Sequence, residues 1–290
     1  MELRDLYYFL TIVREGSLTA AAKVLHLSQP GITRSLKLLE DELGKQLIIR
    51  GSRRVVLTAE GMTLYRRAEE MLRLAHRAKA EIMAPNTEIE GDIYICAGET
   101  RGLHFLTQAA RRLMDRHPGV RLHISSGDRV DVMEELEKGL TDFGLLLEPF
   151  DGIRYEFIPI PYEDVWGVLM RRDAPLAKKA SIRPEELIGL PLILPRGIDY
   201  SRSGCPILGL EPEQLHVAAT YSLIFNAGVM AADGIGYVVG LDQILEPGEQ
   251  SALCFRPLTP AVTGRMNVVW TRYKPMSVQA RAFLEELRKG

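Results

Sequence analysis

The chain has 290 residues and a formal net charge of −2, with 46% apolar and 26% charged residues; this fits a soluble globular protein and excludes a disordered one. Its length predicts two or three domains, and no apolar run approaches the roughly 18 residues of a membrane span. The amino terminus lacks a basic-then-apolar leader, and Cys96, Cys205 and Cys254 are widely spaced, which argues against a disulfide framework or a clustered zinc site and makes the cytoplasm the expected compartment.

Charge is unevenly spread. Residues 1–60 carry nine Lys/Arg and seven Asp/Glu, residues 61–90 five of each, and residues 91–290 carry 22 and 26. A small basic head on an acidic body predicts a local contact with an anion.

Leu3, Leu6, Leu10 and Val13 recur at steps of three and four, the mark of a one-faced helix that Gly16 ends. Ser17 is placed to cap a second short helix carrying Leu18, Ala21, Ala22 and Leu25. His26-Leu27-Ser28 reads as a tight turn, with Ser28 capping a third helix that takes Pro30 in its first turn. That helix gathers Ile32, Leu36, Leu39 and Leu43 on one side and Gln29, Thr33, Arg34 and Lys37 on the other. The arrangement is a helix-turn-helix.

Two β-prone runs around Gly51-Ser52 follow, a hairpin whose tip carries Arg50, Arg53 and Arg54. A basic hairpin in this position is a wing. Thr58 then caps a long helix, stopped by Ala84-Pro85-Asn86. Along it Tyr65, Ala68, Leu72, Ala75, Lys79 and Ile82 form a heptad seam. So narrow a stripe needs a partner surface, and a second chain is the expected one.

From Gly91 onward short strands and helices alternate, predicting an α/β sheet. Strands are expected at residues 92–97, 120–125, 143–147, 155–160, 164–170, 192–194, 217–219, 237–239, 253–256 and 266–270. Helices are expected at 103–116, 130–138, 184–187, 223–232 and 278–288.

A duplex reader needs a helix that fits the major groove and presents side chains from its first turns. Gln29 suits adenine, Thr33 a base or a thymine methyl, and Arg34 guanine, with Lys37 on the same face. Ser28 and the free amides of that helix start suit phosphate, and Arg50, Arg53 and Arg54 suit the backbone or the minor groove.

These residues resemble a known family. Ala20-Ala21-Ala22 through Leu27-Ser28-Gln29-Pro30, Leu38-Leu39-Glu40-Asp41-Glu42-Leu43-Gly44, Leu47, Arg50, Arg53-Arg54 and Leu57-Thr58-Ala59-Glu60-Gly61 resemble the DNA-binding domain of LysR-type transcriptional regulators. Gly31 stands where that family more often has Ala, and Ile48-Ile49 where it often has Phe and an acidic residue. His117-Pro118-Gly119-Val120, Gly139-Leu140-Thr141-Asp142-Phe143-Gly144, Ala174-Pro175-Leu176-Ala177 and Ala231-Ala232-Asp233-Gly234-Ile235-Gly236 are similar to its effector-binding region. The resemblance implies an α/β protein overall: a winged helix-turn-helix at 1–60, a linker and dimerisation helix at 58–86, and a two-lobed periplasmic-binding-protein-like effector domain at 91–290. Lobe one would span about 91–161 and 264–290, lobe two about 162–263. It further implies double-stranded DNA and an unidentified small-molecule effector as partners, a homodimer or homotetramer, and RNA polymerase as a possible contact. No cofactor, metal or membrane partner is expected.

Clefts between α/β lobes bind ligands where strands end. The candidates are Glu99, Thr100 and Arg101 after the first strand, Ser126, Asp128 and Arg129 after the second, and Leu147 with Glu148 after the third. In the second lobe they are Arg196, Ile198 and Asp199 after a strand and Asn226 on a helix. Thr100 matches the position where the family places a hydroxyl beside its effector. The arginines suit a carboxylate; the acidic residues in the same loops would neutralise them or favour an amine.

Other classes have weaker support. Gly234-Ile235-Gly236 with Gly240 follows a helix and precedes a strand, the reverse of a dinucleotide fingerprint. No Gly-x-Ser-x-Gly occurs, and the six histidines lack zinc-binding spacing. A thiol switch would rest on Cys205, with Arg202 nearby to lower its pKa and Cys254 brought close by folding. A sensor or enzyme whose helical module makes only protein contacts is the remaining alternative.

Overall fold

The computed structural model describes residues 1–50, 55–83, 89–148, 152–242, 244 and 251–290. It divides into two compact units, Met1–Ala84 and Pro85–Gly290.

The first unit begins with helices α1 (Leu3–Glu15), α2 (Leu18–Val24) and α3 (Gln29–Leu43), followed by strands β1 (Ile48–Arg50) and β2 (Val55–Leu57) and helix α4 (Ala59–Met83). Each start is capped from the sequence. Asp5 accepts from the Glu2 amide at 2.9 Å, Ser17 from Ala20 at 3.0 Å, Ser28 from Gly31 at 3.2 Å and Thr58 from Gly61 at 2.9 Å. Gly44 ends α3 at a φ of +63°, a left-handed conformation that a Cβ would strain.

Leu6, Phe9, Leu10 and Ile12 of α1, Ala21 and Ala22 of α2, Ile32, Leu36 and Leu39 of α3, and Leu47 and Ile48 beside the hairpin make one buried core. Full burial of each large aliphatic side chain contributes about 1.5–3 kcal/mol. Ala68 of α4 belongs to this same core at 0% exposure, with Tyr65 and Leu72 packed against it. Of the seam residues expected to meet a second chain, Ala68 is fully covered by its own unit, while Tyr65 and Leu72 are half-buried against the same core, because α4 seals the open side of a small three-helix core. Further along, Ala75 is half-buried and Ile82 is 84% exposed.

In the second unit the strands are β3 (Gly91–Ala97), β4 (Val120–Ser126), β5 (Phe143–Leu147), β6 (Tyr155–Arg171), β7 (Pro191–Pro195), β8 (His216–Tyr221), β9 (Tyr237–Leu241), β10 (Leu253–Pro257) and β11 (Thr263–Thr271). The helices are α5 (Leu103–Arg116), α6 (Arg129–Lys138), α7 (Tyr200–Ser203), α8 (Ile224–Ala232) and α9 (Val278–Arg288). The segment Pro184–Leu187 is a 3₁₀ turn. The sheet runs β4-β3-β5-β11-β6-β9-β7-β8, with β10 also paired to β6. Parallel pairs β3–β4 and β3–β5 form one lobe, and parallel pairs β7–β8 and β7–β9 form the other.

The strands expected at 155–160 and 164–170 are one continuous strand. The strand carries Pro159 and Pro161, which cannot donate to a ladder. The pairing absorbs them in a bulge: Glu163 faces Arg265 and Pro159 faces Asn267, so Ile160, Pro161 and Tyr162 all stand opposite Met266. Beyond it β6 stays paired with β11 from Glu163 to Val165 and then pairs with β9 and β10. One buried cluster follows the strand through both lobes, from Ile93, Ile95 and Phe283 to Val168, Leu192 and Val239.

Helix α9 is fastened to α5 by charge. Glu286, 3% exposed, accepts from Arg116 at 2.5 Å, from Lys289 at 2.5 Å and from Arg112 at 3.4 Å. The Lys289 hydrogen bond and then those of Arg116 outweigh burial and hold this carboxyl at about 2.

Two stability outcomes follow. A Cβ on Gly61 would lie 2.0 Å from the Leu47 carbonyl oxygen, so Gly61→Ala is expected to cost the first unit about 1–3 kcal/mol in denaturant unfolding. Because the folded pKa of Glu286 is depressed, its stabilisation is complete above the ordinary carboxylate value of about 4.3 and is lost as pH falls toward 2. Melting temperatures of wild type and Glu286→Gln should differ most above pH 5 and converge near pH 2; a gap independent of pH would contradict this account.

Candidate nucleic-acid interface and ligand pocket

With Ile32, Leu36 and Leu39 buried, the helical period turns the other side of α3 to solvent. Gln29, Arg34 and Lys37 are exposed there, and among the described residues their side chains make no hydrogen bond or ion pair. Thr33 donates its hydroxyl proton to the Gln29 carbonyl at 2.9 Å, which leaves it a methyl group and an acceptor. Ser28 and Pro30 are exposed at the helix start, where the amides and the helix dipole favour an anion.

The wing is tied to this helix by Glu40, which sequence reasoning missed. Its carboxylate accepts from the Leu47 amide at 2.8 Å and the Ile48 amide at 3.3 Å, fixing the start of β1 against α3. Thr58 adds a bond to the Gln46 carbonyl at 2.7 Å. Arg50 closes β1, pairing with Val55 of β2; its side chain, and Arg53 and Arg54, lie outside the described residues.

In the second unit a cavity of about 350 Å³ opens where β3 ends. Ala97, Gly98, Glu99, Thr100 and Arg101 line it, with Leu103, His104 and Thr107 of α5, Ile124 and Ser126 of β4, and Ile244. Of the expected effector residues it gathers Glu99, Thr100, Arg101 and Ser126. It does not gather Asp128, Leu147, Arg196, Ile198 or Asn226.

Those five have other surroundings. Arg196, in the loop after β7, donates to Asp128 at 2.5 Å and to Asp131 at 2.8 Å, an ion pair between the lobes. Burial opposes ionisation of Asp128, but Arg196 and the amides of Asp131 and Val130 prevail and hold its carboxyl below the usual range. A Cβ on Gly264 would lie 2.5 Å from Leu147, which stands at the end of β5. Ile198 packs on the main core, and Asn226 is exposed on α8. The role of Asp131 was legible only as a second acid three residues after Asp128, on the same helical turn.

Glu99 makes a second connection between the lobes: its Oε2 accepts from the amide of Ile224, the first residue of α8. Thr100 donates to Asp164 of β6 at 2.6 Å and accepts from the Gly102 amide at 3.0 Å. Asp164 is 4% exposed, and burial pushes its carboxyl up. Nothing in the sequence pattern links positions 100 and 164; only the crossing strand brings them together.

The thiol reading is corrected. All three cysteines are free and buried, and burial pushes Cys205 up where the proximity of Arg202 suggested a lowered value. Arg202 is exposed, and the polar contacts acting on Cys205 are the Leu208 and Ile207 amides. Cys96 is raised to about 11, again by burial. Among the described residues no group of His, Cys, Asp and Glu could hold a metal, and no helix is long and apolar enough to cross a membrane.

Comparison with known proteins agrees with both halves of this description. Residues 3–62 match the family model for bacterial regulatory helix-turn-helix proteins of the lysR family, and residues 86–290 the LysR substrate binding domain. The HTH-type transcriptional regulator YfeR of Shigella flexneri, itself uncharacterized, is 25% identical over 295 residues, covering 99% of this chain and 93% of that protein. BsdA of Bacillus subtilis, also an HTH-type transcriptional regulator, is 29% identical over 80% of this chain and 83% of its own. Among solved structures, full-length CbnR complexed with its target DNA has a TM-score of 0.69 at 20% identity, covering 100% of this chain and 99% of that one. HinK, a LysR family transcriptional regulator of Pseudomonas aeruginosa, has a TM-score of 0.55 at 26% identity, covering 99% and 98%. With both of its units matched in this way, the chain belongs to the LysR family of DNA-binding transcriptional regulators and carries that family's effector-binding domain.

Proposed function

We propose that α3 enters the major groove of operator DNA and reads base edges with Gln29, Thr33, Arg34 and Lys37. Ser28, Pro30 and the amides of the helix start take phosphate, and Arg50, Arg53 and Arg54 of the hairpin follow the backbone. The observation that carries this reading is the exposed face of α3, where Gln29, Arg34 and Lys37 have no partner among the described residues while Ile32, Leu36 and Leu39 anchor the opposite side.

Two copies joined through α4 would read half-sites in successive major grooves, as a dimer or as half of a tetramer. Ala75 and Ile82, beyond the part of α4 spent on its own core, are the contacts assigned to the second copy. The effector domain, residues 91–290, acts as lobe one (91–161 and 264–290) and lobe two (162–263), and a small molecule in its pocket alters how the copies pack on DNA. Effector and DNA affinities are then reciprocally coupled. The ligand is sensed rather than turned over, and the protein works in the cytoplasm, where RNA polymerase is a further partner.

Selection of random duplexes by the purified protein at two salt concentrations tests this. A dyad-symmetric motif is the expected result, with half-site spacing that reports the oligomer; salt-sensitive binding without a motif would refute sequence reading. On the selected duplex, Arg34→Ala should cost about 1–3 kcal/mol and relax preference at one base pair. Arg53→Ala should instead weaken all sequences alike and lower the salt slope by about one. Unchanged binding in both variants would remove α3 and the hairpin from the interface.

A further inference from the structure

The polar groups around the pocket are unequal in what they can still offer. Thr100 donates its hydroxyl proton to Asp164 at 2.6 Å and accepts from the Gly102 amide at 3.0 Å. Thr107 has given its proton to the His104 carbonyl at 3.1 Å. Both hydroxyls retain only lone pairs for a ligand. Glu99 is an acceptor by nature, and among the described residues the Ile224 amide is the one hydrogen-bond donor on its carboxylate. Asp164 lies behind Thr100, with Asp242 and Arg101 both close enough to act on it.

The side-chain donors on the cavity wall are Arg101, the His104 ring and Ser126. Arg101 is exposed and makes no hydrogen bond or ion pair among the described residues, and Ser126 is exposed on β4. A carboxylate held by Arg101 would share the cavity with the Glu99 carboxylate and two hydroxyls that cannot donate. An ammonium group meets the opposite situation, with acceptors on every one of those three side chains.

We propose that this pocket takes a small molecule bearing a protonated primary amine, the ammonium held between Glu99 and the Thr100 and Thr107 hydroxyls and the apolar body lying on Leu103 and Ile124. The inference rests on the reading of this unit as a ligand-sensing domain. Two sources share the chemistry: a plain amine, which leaves Arg101 unused, and an α-amino acid, whose carboxylate Arg101 would hold at the rim.

Calorimetric titration of the full-length protein tests it, with a panel in which each short carbon skeleton is present as amine, α-amino acid, carboxylic acid and alcohol. At least one skeleton should bind as amine or amino acid tenfold or more tightly than as acid or alcohol. Tighter binding of the amino acid than of the matching amine would select the second source. Glu99→Gln, which keeps an acceptor for the Ile224 amide, should abolish that preference. Thr107→Val, on the outer turn of α5, should reduce it at least threefold and serves as the readout if Glu99→Gln does not fold. Acids or alcohols binding as tightly, a preference that survives these variants, or a panel that does not bind at all would each overturn the assignment. Operator selection on the same preparation separates the two readings: a recovered motif with a silent panel refutes the ligand class alone, whereas a missing motif refutes the regulator as drawn.

Discussion

The effector domain is built on a strand that belongs to both of its lobes. β6 is hydrogen-bonded to β11 over its first part and to β9 and β10 over its last, so a change in the angle between lobes must bend β6 and β11 together. The ladder is weakest where three residues stand opposite Met266, because bulged residues are left unpaired and the strand bends there. Asp164 lies two residues past that bulge, and its carboxylate holds the Thr100 hydroxyl that lines the pocket. A ligand touching Thr100 is thus one hydrogen bond away from the segment that any lobe movement must deform. The Arg196–Asp128–Asp131 cluster and the Glu99–Ile224 bond also link the two lobes. Local contact with a ligand and the relation of the lobes are therefore carried by overlapping residues.

Much of the first unit was legible because its information is local. Steps of three and four in apolar residues place α1 and α3, and Ser17, Ser28 and Thr58 announce helix starts that the structure finds capped by those same hydroxyls. In the second unit, α5, α9 and β5 match the expected limits, 103–116, 278–288 and 143–147. The failures share one cause, which is dependence on distant residues. Two strands were expected within 155–171, and only pairing with β11 shows the bulge that lets one strand pass. Glu40 reads as a surface acid until Leu47 and Ile48 fold back onto it. Ser126 and Glu99 were placed by the rule that ligands gather at strand ends, but that rule also nominated Asp128 and Arg196, whose charges satisfy each other.

That pairing bears on how charge should be read in this chain. The second unit carries most of the acidic excess, yet several of its carboxylates are already committed. Glu286 fastens α9 to α5, Asp128 and Asp131 hold Arg196, and Asp92 takes Arg121 at 2.7 Å. Apart from the buried Glu286, such solvent-facing pairs contribute little stability, about 0–1 kcal/mol each, so their value is geometric. What distinguishes the pocket is the remainder left after such pairs are formed: a Glu99 carboxylate bonded to one backbone amide, and the Thr100 and Thr107 hydroxyls with their protons already donated.

The long helix α4 faces two demands along its length. Its first turns close a core that α1, α2 and α3 cannot seal alone, and Ala68 suits that position because a small side chain lets the helix approach closely. A heptad repeat continues past Leu72, but the surface that covered its first half does not, and Ile82 is left 84% exposed. A large aliphatic side chain so exposed in line with a buried stripe is what a helix needs to meet a second copy over its later turns. The division has a mechanical consequence for a dimer. Because α3 shares a core with its own α4, in a dimer joined as proposed the spacing of the two α3 helices would follow from how the α4 helices cross, and half-site spacing on DNA would report that crossing.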